Sequence, residues 1–303
     1  MKKQDIMKKW YGPFIAIVTP FDEHGRIVAE DFRTLVNSFI EDGATGIIVG
    51  GHNGESWALK TKDLEQLVAL AVDEAKNRVP ILCGLEGRSA EDVVEEAKAM
   101  AGVGAEGIMV EPPYIVTTAT DAEILDRFER IANNSPIPVM MYNNPRRTQI
   151  HLNPSMVTRL AKHENIVALK DASRDLADLT LKIAMAGKDI SIFVGPSTLI
   201  LACVSFGAKG FISSGPMELM RKDGRRLYDL AAGKKIEEGL PLQFTATKLY
   251  GILFGTGTWP AALKAAMNAL GRPAGVPRLP VHRLTPEATA QLTKRLKEVG
   301  VLS

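Results

Sequence analysis

Eight short apolar runs recur along the 303-residue chain, and amphipathic stretches separate them. Most of the runs are apolar throughout, which is typical of parallel strands that are covered on both faces. One strand and one helix, repeated eight times, predict an α/β protein with a (β/α)8 TIM barrel; a doubly wound sheet would use fewer strands, and no glycine fingerprint follows the first run. The predicted strands are residues 14–21, 45–51, 80–86, 107–113, 138–144, 166–171, 191–196 and 210–215.

Helical periodicity fills the segments between these runs, for example at 62–76, 90–101, 121–132 and 154–162. Thr61, Ser89 and Asn153 precede such segments and are predicted N-caps. From residue 233 onward no strand is predicted, and residues 234–254, 260–270 and 286–299 have the pattern of additional helices. We therefore expect a barrel over residues 1–232 and a C-terminal helical extension over 233–303 that packs on it.

Composition and charge exclude several classes of protein. Hydrophobic residues make up 46% of the chain and the net charge is +2, so neither a nucleic acid nor a membrane is an expected partner. The four lysines within the first nine residues are predicted to form a solvated, frayed tail, and the apolar run at 14–18 is too short for a signal or a membrane span. The two cysteines, Cys83 and Cys203, lie in apolar runs, which indicates buried thiols and a cytoplasmic location. No Cys/His cluster has the spacing of a metal site, so no metal is expected.

Polar side chains follow several predicted strands at their C-terminal ends. In a (β/α)8 barrel these ends form one edge, here called the rim, and reactive groups stand there. A lysine, phenols, an arginine and a glycine-rich turn on one rim indicate a reaction site for a carbonyl acid. The side chains concerned are Thr19, His52, Asn53, Tyr114, Tyr142, Arg147, Lys170 and Ser213.

Lys170 constrains the chemistry most, because it stands at the end of the apolar strand 166–171. Taking an ammonium out of water costs several kcal/mol unless the group is paired or loses its proton. Lys170 either pairs with Asp171 or reaches solvent, or its burial lowers its pKa and leaves a neutral amine that attacks carbonyl carbon. This residue alone leaves both interpretations open.

Five motifs, taken together, resemble one known family. They occur in order over nearly the whole chain, at spacings similar to those of the dihydrodipicolinate synthase / N-acetylneuraminate lyase family of class I, Schiff-base aldolases. Each motif alone is weak evidence, whereas the ordered set is specific. The motifs are Thr19-Pro20-Phe21, Gly51-x-x-Gly54-Glu55-Ser56, Tyr142-Asn143-x-Pro145-x-Arg147-Thr148, Lys170-Asp171-Ala172 and Gly210-x-Ile212-Ser213.

The resemblance implies a Schiff-base lyase that acts on pyruvate or another 2-oxo acid. Lys170 would form an imine with the ketone, and Tyr142 would exchange protons beside it. Backbone N–H groups around His52 and Asn53 would hold the carboxylate of the oxo acid, and Ile212 would bring its backbone carbonyl near the site. The imine itself is the electron sink, so no cofactor is expected.

The resemblance also implies contacts beyond the oxo acid. Arg147 matches the position that grips the carboxylate of a second substrate, and Tyr114 matches a tyrosine that reaches into the neighbouring subunit's site. Family members are commonly homotetramers and sometimes dimers, so self-association is predicted. Thr19 and Ser213 lie within matched motifs and are candidate substrate-binding residues, whereas Glu55 is expected to brace its turn.

The chain departs from the family pattern at several positions. His52 stands where the synthases have a threonine that relays protons between two tyrosines, and Asn53 replaces a hydroxyl residue, which is expected to add amide donors near the carboxylate. The pocket in which that family binds lysine as a feedback inhibitor has different residues here, namely Trp57, Thr61, Arg88 and Pro113.

These departures favour a catabolic relative that cleaves, dehydrates or deaminates a 2-oxo acid. The alternative is 4-hydroxy-tetrahydrodipicolinate (dihydrodipicolinate) synthase itself, since the lysine, tyrosine and arginine are all present. A barrel that binds a 2-oxo acid or amine without turnover is a second alternative, and the presence of both Lys170 and Tyr142 disfavours it. Loop side chains are expected to select the second substrate, among them His52, Asn53, Glu111, Arg147, Ser173 and Ser214.

Overall fold

Eight parallel strands close into a barrel in the computed structural model, which describes residues 2–86, 89–113 and 116–302. Each strand pairs with the next in chain order and the last pairs with the first, which confirms the predicted (β/α)8 barrel. The strands are β1 (Gly12–Ala16), β2 (Gly46–Val49), β3 (Ile81–Leu85), β4 (Gly107–Val110), β5 (Val139–Asn143), β6 (Ile166–Asp171), β7 (Ser191–Val194) and β8 (Gly210–Phe211).

Most strands end before the predicted runs do. The apolar residues beyond each strand end leave the ladder and form the loops of the rim; the run at 45–51, for example, leaves β2 after Val49 and leads into a short 3-10 turn, His52–Gly54. β6 is the exception, because it ends at Asp171 as predicted. Lys170 therefore stays within the ladder, where its neighbours hold it in place.

Helices lie between the strands and after β8. Ser89 and Asn153 are N-caps as predicted, whereas the cap predicted at Thr61 is Lys60, and Thr61 is the first helical residue. None of the helices in the described ranges is long and apolar enough to span a membrane. The helices are α1 (Lys3–Lys9), α2 (Ala29–Glu41), α3 (Thr61–Ala75), α4 (Ala90–Gly102), α5 (Asp121–Asn134), α6 (Pro145–Thr148), α7 (Pro154–Leu160), α8 (Leu176–Ala186), α9 (Ile200–Ser205), α10 (Pro216–Leu219), α11 (Lys222–Ala232), α12 (Ile236–Phe254), α13 (Trp259–Ala269) and α14 (Pro286–Val299).

The prediction of a frayed N-terminal tail is wrong. Residues 3–9 form α1, and Ile6 and Trp10 are buried in the apolar cluster inside the barrel, together with Phe14 and Phe193. Lys3 Nζ donates to the carbonyl oxygen of Ala161 at 2.6 Å. Two large apolar side chains within the lysine-rich segment stabilise this helix, because their burial removes apolar surface from water.

The C-terminal helices pack against the barrel and against each other. α12 contacts α9 and α11, and α14 contacts both α12 and α13. The side chain of Lys264, on α13, reaches the rim and donates to the carbonyl oxygen of Thr19 at 2.7 Å. Residues far along the chain thus stabilise the loops in which the polar side chains of the rim stand.

Candidate active site

Lys170 and Tyr142 face the barrel interior from neighbouring strands. They are register partners in the β5–β6 pair, and Lys170 Nζ lies 4.1 Å from the centroid of the Tyr142 ring. Side chains alternate along a strand, so Lys170 points inward while Asp171 points to the outer face. Only 8% of Lys170 and 5% of Tyr142 is exposed, so both reactive groups are largely removed from water.

Burial sets the protonation of both groups. It lowers the pKa of Lys170 to about 8, against the opposing effect of the Glu111 and Glu218 carboxylates. Burial also raises the pKa of the Tyr142 phenol, and the charge of Glu111 adds to this shift. Asn144 Nδ2 donates to the phenol oxygen at 3.1 Å. The site therefore holds an amine that loses its proton readily beside a phenol that keeps its own.

Asp171 is paired on the other side of the sheet. Its Oδ2 lies 2.7 Å from Nζ of the buried Lys182 and accepts a hydrogen bond from Asn143 Nδ2 at 2.8 Å. Its Oδ1 accepts the backbone N–H of Ser173 at 2.9 Å. The Lys170–Asp171 ion pair that the sequence left open is thus not formed, and Asp171 instead fixes the ends of β5 and β6 around the lysine.

His52 follows β2 and points toward Tyr142, with the two ring centroids 5.4 Å apart. Its Nε2 lies 3.0 Å from Glu111 Oε2 and 3.9 Å from Glu86 Oε1. The Glu111 carboxylate, which follows β4, is buried, and within the described ranges its Oε1 has no hydrogen-bond partner. The sequence predicted Glu111 only as a loop residue that selects the second substrate, and it did not predict this contact with His52.

The side-chain amide of Asn53 is fully engaged within the protein. Its Nδ2 donates to Ala16 O and to Glu218 Oε1, both at 3.2 Å. Its Oδ1 accepts from Ser214 Oγ and from Trp259 Nε1, both at 2.9 Å. The expectation that this amide adds donors near a substrate carboxylate is therefore not supported, because the side chain braces the turn. Its backbone N–H has no acceptor among residues 2–86, 89–113 and 116–302.

Thr19 and Ser213 also hold backbone in place. The Thr19 hydroxyl donates to Gly54 O at 2.7 Å, and the Ser213 hydroxyl donates to Gly195 O. Neither residue lines the rim cavity, whereas Ile212 does. Both hydroxyls are thus engaged with loops that surround the site, and they are not directed at the space a substrate would fill.

A cavity of about 440 Å³ opens above Lys170 at the rim. The structure brings together six of the candidate catalytic and substrate-binding residues in its lining: His52, Asn53, Tyr142, Arg147, Lys170 and Ile212. Tyr114 and Arg88 lie outside the described residues.

Arg147 is half exposed at the mouth of the cavity. Its guanidinium lies 3.4 Å from Glu86 Oε1 and 5.6 Å from the centroid of the Trp57 ring. A guanidinium in this position can meet a carboxylate that enters the cavity.

An aromatic wall of the cavity was not predicted. Phe254 and Trp259 are stacked with ring centroids 4.3 Å apart, and the Arg174 guanidinium lies 4.9 Å from the Tyr250 ring and 5.4 Å from the Phe254 ring. Tyr250, Phe254 and Trp259 stand on α12 and α13, far from any strand end in the sequence. Because reactive groups in a barrel are expected after the strands, nothing in the sequence was a reason to select these three aromatic residues. The one signal for them is their spacing around the junction of two predicted helices.

The comparison with known protein families identifies the chain. Residues 9–299 match the sequence model of the Dihydrodipicolinate synthetase family. The chain belongs to this family. Members of this family are class I aldolase-type lyases that act through a lysine Schiff base. This protein is therefore an enzyme of the same class.

Individual relatives agree with the family assignment. The chain is 32% identical over 287 residues to a 4-hydroxy-tetrahydrodipicolinate synthase of Exiguobacterium sp., covering 95% of this chain and 97% of the relative. It is 30% identical over 291 residues to the synthase of the same name from Geotalea uraniireducens, covering 96% and 99%.

Solved structures of the family share the fold. The chloride-inhibited dihydrodipicolinate synthase of Acinetobacter baumannii, complexed with pyruvate, is 26% identical with a TM-score of 0.90, over 96% of this chain and 99% of that one. A structure described as the first monomeric dihydrodipicolinate synthase variant is 26% identical with a TM-score of 0.91, over 98% and 99%.

Proposed function

We propose that Lys170 forms an imine with the ketone of a 2-oxo acid and that bonds at C3 are made or broken from that imine. The observation that carries the proposal is a buried lysine whose amine lies 4.1 Å from the ring of a buried tyrosine, at the rim of the barrel. Its pKa is lowered to about 8 by burial, so a useful fraction of the amine is neutral near pH 7.

The chemistry follows from these two side chains. The neutral amine adds to the ketone carbon, and the carbinolamine then loses its hydroxyl as water after Tyr142 gives it a proton. The resulting iminium withdraws electrons from C3, so C3 can lose a proton and become an enamine carbon. That carbon attacks an aldehyde in the condensing direction or is left behind when a C–C bond breaks.

Backbone groups beside His52 and Asn53 are proposed to bind the carboxylate of the oxo acid. Both residues begin a short 3-10 turn at the end of β2, and their N–H groups donate to no acceptor within the described ranges. Successive N–H groups in such a turn form a concave anion site. Ile212 lines the same cavity, and Arg147 at the mouth would grip the carboxylate of a second substrate.

The first reaction to test is that of 4-hydroxy-tetrahydrodipicolinate synthase, the name carried by both relatives described above. The relatives therefore favour a synthase over the catabolic enzyme that the sequence departures suggested. In this assignment Tyr114 would provide the second phenol.

A catabolic reaction on a larger 2-oxo acid is the second candidate, and the contact between His52 and Glu111 favours it. His52 and Glu111 lie 3.0 Å apart beside Tyr142, and the resemblance places a threonine of the synthases at the position of His52. Such a pair suits proton transfer to the oxygen of a hydroxylated substrate during cleavage or dehydration.

The experiment is to incubate the protein with pyruvate and borohydride, measure the intact mass and map the modified peptide. A reduced pyruvyl adduct on Lys170, absent from Lys170→Ala, is the expected result. Pyruvate with aldehydes that carry a carboxylate, and a panel of hydroxylated 2-oxo acids, are then compared as substrates. An unmodified Lys170 with every oxo acid in the panel would overturn the Schiff-base assignment and favour a binding role.

We also propose that the protein acts as a homodimer or homotetramer in the cytoplasm, with residues 1–232 as the catalytic barrel and 233–303 as its helical extension. The family resemblance supports self-association, although one structural relative is described as monomeric. Cys83 and Cys203 are buried free thiols, in keeping with a reducing compartment. Light scattering of the purified protein measures the oligomeric state directly.

A further inference from the structure

Arg174 lies over the aromatic wall that Tyr250, Phe254 and Trp259 form along one side of the cavity. It follows β6, four residues after Lys170. Its guanidinium lies 4.9 Å from the centroid of the Tyr250 ring and 5.4 Å from that of the Phe254 ring. All five residues line the same cavity. A guanidinium over aromatic faces is attracted to them and keeps its planar N–H groups available for an anion, so Arg174 presents a positive charge to the cavity.

The backbone holds Arg174 in an uncommon conformation. Its φ is 67°, in the left-handed region, where a residue other than glycine needs support from its neighbours. The N–H of Ser173 donates to Asp171 Oδ1 at 2.9 Å, and the N–H of Asp175 donates to the Ser173 hydroxyl at 3.3 Å. Asp171 is itself paired with the buried Lys182. The turn that carries Arg174 is thus held by the same carboxylate that anchors the end of β6.

The charge of Arg174 is not balanced within the described parts of the chain. Among residues 2–86, 89–113 and 116–302 no carboxylate pairs with its guanidinium, whereas Arg147 lies 3.4 Å from Glu86 Oε1. The described residues that line the cavity include Arg146, Arg147, Lys170 and Arg174, and none of them is a carboxylate. A ligand with a negative group would supply the partner that Arg174 lacks, because a guanidinium binds carboxylates and phosphates with two parallel hydrogen bonds.

The aromatic wall leads from the turn after β2 to Arg174. Trp259 Nε1 donates to Asn53 Oδ1 at 2.9 Å, so one end of the wall stands beside the turn that is proposed to bind the carboxylate of the oxo acid. The Phe254 ring lies 4.3 Å from the Trp259 ring and 4.3 Å from the Tyr250 ring, and half of Phe254 is exposed. A large apolar surface exposed in a cavity indicates that an apolar part of a ligand packs against it.

We propose that Arg174 binds a negatively charged group at the far end of the substrate, and that the aromatic wall packs against the carbon chain between this group and the ketone. The substrate class is then a 2-oxo acid with a distal carboxylate or phosphate. Arg147 would bind a carboxylate on the Glu86 side of the cavity, so the two arginines contact different parts of the substrate. Arg174 lies away from the reacting atoms and determines specificity. This proposal rests on the proposed Schiff-base function.

The test compares 2-oxo acids that differ only in their distal group. 2-Oxoadipate and 2-oxohexanoate have the same number of carbons, and only the first ends in a carboxylate. The rate of adduct formation on Lys170 is measured at a series of concentrations by quenching with borohydride at successive times. We expect the wild type to reach its half-maximal rate at an about tenfold lower concentration of 2-oxoadipate, the scale of one hydrogen-bonded contact with a charged group. 2-Oxo-5-phosphonopentanoate shows whether a phosphate-like group is preferred to the carboxylate.

Three variants test the part that Arg174 plays. Arg174→Gln is expected to abolish the preference for 2-oxoadipate and to leave the maximal rate within about twofold, because the residue does not contact the reacting atoms. Arg174→Lys keeps the charge but loses the planar guanidinium, and it should retain only about a third of the preference. Arg146→Gln removes a charge from the same cavity lining and should keep most of the preference, because a charge that does not contact the distal group is screened by salt.

A fourth variant tests the wall itself. Phe254→Leu removes the ring that lies between Trp259 and Tyr250 and shortens the apolar surface. It should raise the half-maximal concentration of 2-oxohexanoate as well as that of 2-oxoadipate, since both acids have the same carbon chain. Unchanged concentrations for both acids would contradict the part given to the wall.

The outcomes separate this proposal from the Schiff-base function. If pyruvate leaves Lys170 of the wild type unmodified, the Schiff-base function fails and the proposed anion site fails with it. If pyruvate forms the adduct but neither distal anion improves on 2-oxohexanoate, only the anion site is overturned. It is also overturned if Arg174→Gln keeps the preference while Arg147→Gln loses it, which would place the distal group at Arg147. An equal loss in Arg146→Gln would indicate a general positive potential and would contradict a site at Arg174.

Discussion

Lys264 on α13 forms a buried ion pair with Glu55 at the end of the turn that carries His52 and Asn53. The two side chains are 1% and 0% exposed, and their charged atoms are 2.5 Å apart. The other carboxylate oxygen of Glu55 accepts the backbone N–H of Arg278 at 2.9 Å. Glu55 has a left-handed φ of 59°, a conformation that its neighbours must maintain. Lys264 and the backbone of Arg278 thus hold the turn beside which the carboxylate of a substrate is proposed to bind, and Glu55 braces this turn as the sequence predicted.

Lys264→Met should destabilise the protein strongly. It leaves the Glu55 carboxylate buried without its positive partner, which typically costs about 3–5 kcal/mol. Urea unfolding measures the change in the free energy of unfolding. Lys162→Met is the matched control, because its ion pair with Asp189 is largely exposed and is worth about 1 kcal/mol or less. Equal losses in the two variants would contradict the role given to Lys264.

The rate of iminium formation should rise with pH up to about pH 8. Burial lowers the pKa of Lys170 to about 8, so the reactive neutral amine is a minor form below that pH and the main form above it. Each pH unit below this range should cost about tenfold in rate. The quenched-reduction assay with pyruvate gives the profile. A low-pH limb near pH 10, the ordinary range of a lysine, would show that burial does not activate this amine.

Tyr142→Phe should fold normally and slow iminium formation by about a hundredfold or more, the scale of a lost general acid–base group. The ring remains to pack against Lys170, so the change removes only the hydroxyl that Asn144 contacts. Circular dichroism checks the fold, and the quenched assay gives the rate. Phe128→Leu, a buried change on α5 outside the barrel interior, is a control for altered packing. A Tyr142→Phe rate within a few-fold of wild type would remove the phenol from the mechanism.

The sequence was sufficient for the barrel and for the pair at its centre. Lys170 and Tyr142 were found because each ends an apolar run, and parallel strands in register place such ends side by side. The apolar pattern of each strand and the order of the strands along the chain are enough to predict that these two residues are adjacent. No contact between distant parts of the chain has to be known. The polar residues in loops were harder to interpret for the opposite reason. Whether Asn53 faces a substrate or the protein depends on Glu218 and Trp259, which are more than a hundred residues away in the chain.

Two further features required the tertiary structure. Lys182 occurs in an ordinary amphipathic helix, and only the fold brings it to the buried Asp171. The pairing of His52 with Glu111 joins the ends of β2 and β4, which are not neighbours in the barrel. Strand order predicts that all strand ends meet at the rim, but it does not predict which side chains from different ends contact each other.

Glu218→Gln should change how stability depends on pH. Burial raises the pKa of Glu218 to about 7 from 4.5, so between these values the folded protein holds a proton that the unfolded chain has lost. The wild type therefore loses stability as the pH rises through this window, by up to about 1.4 kcal/mol for each pH unit crossed. The glutamine variant has no such group. Its free energy of unfolding, relative to wild type, should therefore rise by a few kcal/mol from about pH 4 to about pH 8.

Urea unfolding of both proteins at a series of pH values measures this difference. Titrating groups remote from Glu218 cancel in it, whereas Lys170, whose pKa Glu218 raises, adds to the same rise at the upper end of the window. The amide retains one oxygen acceptor for Asn53 Nδ2 or Gly215 N, so any loss of hydrogen bonding adds a constant offset and leaves the slope unchanged. A difference that stays flat across the window would mean that the carboxylate is ionised in the folded protein throughout. Asn53 Nδ2 would then donate to a charged carboxylate of Glu218. Replacing that carboxylate with the neutral amide of glutamine should weaken this hydrogen bond, and with it the turn, at every pH.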